Sequence, residues 1–74
     1  VDILGKINKE HLTYIMDHKK NAKFCYLGQA EAGEFCKRMQ AFLDLEEEPK
    51  VSQGLEFIGL KIIEVANGEH FNIG

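Results

Sequence analysis

The 74 residues predict an α+β fold: one small domain in the order α-β-α-β-β, with a three-stranded sheet packed against two helices. Three observations carry that prediction. Residues 29–43 repeat their apolar side chains at helical spacing. Residues 55–65 are rich in β-branched and aliphatic side chains and lead into Asn67-Gly68, the dipeptide that suits a two-residue hairpin turn. The short apolar run Ala22 to Leu27 directly precedes the stronger helix, so strand, helix and later strand can form one crossover unit.

The first helix is expected at about residues 9–20. Asn8 suits the N-cap, because its side-chain oxygen can accept from an orphan backbone N–H. Ile7 and Leu12 fall at the two positions of a hydrophobic staple. Leu12, Ile15, Met16 and Lys19 share one face, His18, Lys19 and Lys20 place positive charge in the last turn, and Asn21 can end the helix. In the strand that follows, Phe24 and Tyr26 point one way and Cys25 and Leu27 the other. Both faces are apolar, which suits a central or covered strand.

The second helix is expected from Gln29 to Leu43, with Ala32, Phe35, Cys36, Met39, Phe42 and Leu43 as its apolar stripe. Glu31 and Glu34 come early and Lys37 and Arg38 later, in the order the helix dipole favours. Residues 44–53 form the long connection, where Pro49 takes Glu48 out of helical geometry. Gly59 interrupts the following β-prone stretch and marks a bulge or tight bend. A two-residue turn at Asn67-Gly68 would pair Val65 with His70 and Ile62 with Ile73. Leu60, Ile62, Phe71 and Ile73 would then share the core face.

Size and composition limit the function. A chain this short buries about 60–65% of the surface it exposes when unfolded, enough for one core, so residues 1–74 read as a single domain. No apolar run approaches the roughly 18 residues of a membrane span, and no signal peptide is expected. Two cysteines, Cys25 and Cys36, fit reduced thiols in a cytoplasmic protein better than a disulfide framework. Ser52 is the one serine, no spacing matches a nucleophile elbow, and an enzyme is not expected. His11 and His18 stand about 10 Å apart along a helix, His70 lies elsewhere, and no ligand motif is present, so no metal and no cofactor are expected and the histidines read as surface residues. A phosphate site at Leu27-Gly28-Gln29 would face Glu31 and Glu34, and a plain turn fits better.

Charge is uneven. Residues 1–40 hold seven Lys/Arg and five acids (+2), whereas residues 41–74 hold two Lys and seven acids (−5), giving −3 in all. Lys19, Lys20, Lys23, Lys37 and Arg38 with Tyr26 are the candidates for a nucleic-acid surface. The acidic total and single arginine make that the weakest of three readings. Asp44, Glu46, Glu47 and Glu48 follow directly on a helix C-terminus, where negative charge is unfavourable. These four are the candidate partner-binding residues, suited to a basic surface on another protein. A homo-oligomer is the alternative, because a short chain can bury a face in a second copy and its terminal strand would be an open edge.

The run Phe57-Ile58-Gly59-Leu60-Lys61-Ile62-Ile63-Glu64-Val65, followed by His70-Phe71, resembles the ending of many small accessory proteins of tailed phages and prophages. The resemblance covers about one fifth of the chain and transfers no functional residue. It implies a viral protein working in the host cytoplasm, and small acidic members of that group often inhibit or redirect a host protein, defence nucleases among them. The expectation is therefore a non-enzymatic protein-binding module, of the phage-inhibitor kind, that acts by occlusion.

Overall fold

The computed structural model describes residues 2–74, which form two helices, a short 3-10 turn and four strands. Helix α1 spans Ile3–His18, strand β1 Phe24–Leu27, helix α2 Gln29–Leu43, strand β2 Glu56–Phe57, strand β3 Leu60–Glu64 and strand β4 Phe71–Ile73. The sheet order is β2-β3-β1-β4. The domain is thus α+β as the sequence predicts, with a fourth strand where three are expected.

Helix α1 starts six residues earlier than the spacing around Asn8 suggests. Asp2 is its N-cap, and its Oδ1 accepts the Gly5 N–H at 2.8 Å. Lys19, not Asn21, takes the left-handed position that ends it (φ 58°). The earlier start changes the buried face. Ile3, Ile7 and His11, four apart, point into the core, while Leu12 and Met16 are exposed. Helix α2 has the predicted bounds, and Ala32, Phe35, Cys36 and Met39 are buried as its stripe requires.

The crossover expected from Ala22–Leu27 through α2 is present. β1 and β3 are parallel, with Cys25 opposite Ile62 and Tyr26 opposite Ile63. The hairpin expected at Asn67-Gly68 is not: β4 pairs antiparallel with β1, which lies between β3 and β4. The chain from Val65 to His70 instead passes over the end of β1. The hairpin lies nine residues earlier, at Ile58-Gly59, between β2 and β3, where Phe57 faces Leu60. Both turn residues have positive φ (47° and 81°), the requirement of a type I′ turn. Glycine meets it freely; a β-branched isoleucine is held there at a cost of about 1–2 kcal/mol.

Both helices pack on one face of the sheet. Leu60 and Ile62 of β3 and Cys25 and Leu27 of β1 are buried against Ile3, Ile7, Phe35 and Met39, and Phe71 and Ile73 close the core from β4. The expected sharing of one face by Leu60, Ile62, Phe71 and Ile73 therefore holds despite the wrong pairing. Inserting β1 between the two strands preserves the alternation of side chains. Phe57 meets Phe35 edge to face, with ring centroids 6.0 Å apart.

Candidate functional site

The two ends of α2 organise the surface. At its N-terminus the first backbone N–H groups are consumed by the 67–70 loop. Gly28 donates to the His70 carbonyl at 2.9 Å, Gln29 to Asn67 at 2.8 Å and Ala30 to Gly68 at 3.0 Å. In return the His70 N–H donates to Glu31 Oε1 at 3.0 Å. That bond, then Glu31's own backbone N–H, hold its carboxyl below the usual carboxylate range, with Lys6 and His70 adding charge attraction. A helix start whose donors are already bound offers little to an anion. The Leu27-Gly28-Gln29 turn is thus a structural joint.

At the C-terminus Asp44 adopts the left-handed conformation (φ 54°), and Leu45 N–H bonds back to the Gln40 carbonyl at 2.9 Å. This is a Schellman closure with aspartate where glycine is usual. Phe42 and Leu43 continue the spacing of Met39, three and four residues on, yet the sheet does not extend far enough to cover them. Phe42 is 68% exposed, Leu43 51% and Leu45 40%. The sequence places Phe42 and Leu43 on the apolar stripe; the structure leaves both in solvent.

The predicted partner-binding residues Asp44, Glu46, Glu47 and Glu48 are all exposed. Asp44, Glu46 and Glu47 interleave with or adjoin Leu43 and Leu45. Glu48 lies further back along α2, on a cleft of about 420 Å³ that includes Cys36, Lys50 and Glu64. The exposed apolar side chains beside the run are the part of this surface that sequence reading misses. Helical periodicity reports which residues share a face, not whether anything covers that face.

The remaining candidates are dispersed. Lys37 and Arg38 are exposed on α2 between buried Cys36 and Met39 and so face away from the sheet, whereas Tyr26 lies on the sheet's opposite face with Phe24 and Ile63. Lys19, Lys20 and Lys23 belong to the exposed α1–β1 connection. No single surface gathers these cations with the tyrosine. His11, read as a surface residue, is buried, and its Nε2 accepts the Ala22 N–H at 3.3 Å. It fastens the α1–β1 connection to the core. Among the described residues no three His, Cys, Asp or Glu side chains converge as a metal site would require. Cys25 and Cys36 are buried free thiols, and burial pushes the Cys25 thiol up to about 11. Burial and the nearby Glu48 carboxylate raise that of Cys36 as well. No helix among the described residues is long and apolar enough to cross a membrane.

Fold and surface together define a small α+β domain with a four-stranded mixed sheet and an apolar, acidic helix end. No family model matches the chain, and no curated protein or solved structure matches it.

Proposed function

We propose that this domain is a non-enzymatic protein-binding module whose contact surface is the C-terminal end of α2 with the acidic run after it. One observation carries the reading: Phe42, Leu43 and Leu45 stand exposed among Asp44, Glu46 and Glu47. Large apolar side chains in water supply affinity when a partner buries them, and the carboxylates around them steer a basic partner and set register. The matching partner has an apolar depression rimmed by Lys or Arg. Covering such a surface would block it, which is the occlusion expected of a phage-type inhibitor of a host protein.

The test is comparative capture. Wild type, Phe42→Ser/Leu43→Ser and Glu46→Gln/Glu47→Gln/Glu48→Gln are immobilised and exposed to a bacterial lysate. One protein should be retained by wild type, lost with the apolar variant and bound more slowly by the charge variant, with a shallower salt dependence. Equal retention by all three would remove this surface from consideration.

Self-assembly is the second reading, and a separate observation favours it. Leu12 and Met16 are 53% and 71% exposed on α1. They lie on the face of α1 turned away from buried Ile3, Ile7 and His11. Exposed apolar side chains one turn apart on a helix suit burial against a second copy. Light scattering separates the readings: a mass of 8.4 kDa supports the monomeric binder, and a multiple of it supports assembly.

A further inference from the structure

The free edge of β4 forms one wall of a groove, and α1 forms the other. β4 pairs with β1 on one side only. Gly74 and Phe24 exchange both backbone hydrogen bonds, at 3.2 and 2.9 Å, and Gly28 donates to His70 at 2.9 Å. These contacts set the alternation along the strand. His70, Asn72 and Gly74 direct their backbone groups to β1, so Phe71 and Ile73 direct their N–H and C=O outward. Beside them lies a groove of about 210 Å³, walled by Phe71, Asn72 and Ile73 on the strand side. The helix side presents Glu10, Thr13 and Asp17, with Tyr14 and His18 stacked at 4.0 Å. Lys6, whose Nζ stands 4.5 Å over the Phe71 ring, is engaged near the Phe71 end.

We propose that this groove takes an extended basic segment of another protein, which adds to the sheet as a strand beside β4. Main-chain bonds to Phe71 and Ile73 would hold the segment, as in strand addition generally. A lysine or arginine on it would reach Glu10 and Asp17, whose carboxylates give the groove its negative sign. The helix wall distinguishes this from a bare sheet edge. The site shares no residue with the acidic end of α2, so it stands independently of the function proposed above.

The probe is a labelled heptapeptide, Thr-Val-Lys-Val-Lys-Val-Thr, compared with a form in which both lysines are glutamates and a form N-methylated at alternate residues. Titration is followed by amide NMR and hydrogen exchange on the whole domain. The lysine peptide should shift and protect the Phe71 and Ile73 amides. N-methylation should abolish binding, because it removes main-chain donors. The glutamate peptide should bind at least about fivefold more weakly, and so should the lysine peptide with Glu10→Lys/Asp17→Lys, from two exposed charge pairs. Glu46→Gln/Glu47→Gln/Glu48→Gln should leave peptide binding unchanged. Failure of the lysine peptide to perturb Phe71 and Ile73, or equal binding of the N-methylated form, would overturn the proposal. So would protection of both amides without peptide at twice the monomer mass, which would make a second copy the occupant.

Discussion

The two ends of α2 are built from the same fifteen-residue helix but are treated in opposite ways. The N-terminal end is locked: three of its backbone donors and the Glu31 carboxylate are engaged by residues about 40 positions later in the chain. The C-terminal end projects, with apolar side chains in water and aspartate in a conformation that favours glycine. The lesson is that order and exposure divide along one element. Stability is concentrated where the chain crosses itself, and the surface free to bind a partner is where it does not.

The largest expected effect is at the locked end. A Cβ on Gly28 would stand 2.6 Å from the His70 backbone nitrogen and 2.8 Å from the Glu69 carbonyl carbon. Backbone cannot swing aside as a flexible side chain can, so Gly28→Ala should destabilise by about 2–3 kcal/mol in urea denaturation. A cost below about 0.5 kcal/mol would mean that the 67–70 loop does not sit tightly on the turn.

Next comes a pair of glycines that separates the true hairpin from the apparent one. Gly59 has φ 81° with open space around its Cα, so Gly59→Ala should cost about 1 kcal/mol from backbone strain alone. Gly68 has no positive φ and also faces open space, so Gly68→Ala should change stability by less than about 0.5 kcal/mol. Reversal of that order in melting experiments would restore a hairpin at Asn67-Gly68.

Glu31 provides a pH test of the same lock. Its folded-state pKa is lowered, so folding favours the carboxylate. The stabilisation is complete above the unfolded-state pKa and is lost as pH falls through the lower folded-state value. Glu31→Gln should be less stable than wild type at neutral pH, and the gap should close as the solution is acidified through that range. A gap independent of pH would point to packing instead of the charged hydrogen bond.

The smallest effect on stability belongs to the projecting end. Phe42→Ser should change the unfolding free energy by about 0.5 kcal/mol or less, because the ring is already mostly in water. A cost of 2 kcal/mol or more would show that Phe42 is covered in solution, and a second copy would be the first candidate to cover it.

Helix α2 was legible from Gln29 to Leu43 because its apolar period and charge order are local properties. The parallel crossover followed from the strand, helix and strand that border each other along the chain. Asn8 and Ile7 imitate a capped start, so local chemistry points to a first helix that begins too late. Asp2 supplies the real cap, and only packing against the sheet selects Ile3, Ile7 and His11 over Leu12 and Met16. Asn67-Gly68 has the chemistry of a hairpin turn, yet its carbonyls serve the start of α2. That use requires β1 between β3 and β4, which no local preference encodes. The acidic run was visible in the sequence and its exposed apolar neighbours were not. Periodicity sets which side chains share a face, whereas the short reach of a four-stranded sheet decides where along α2 that face stops being core.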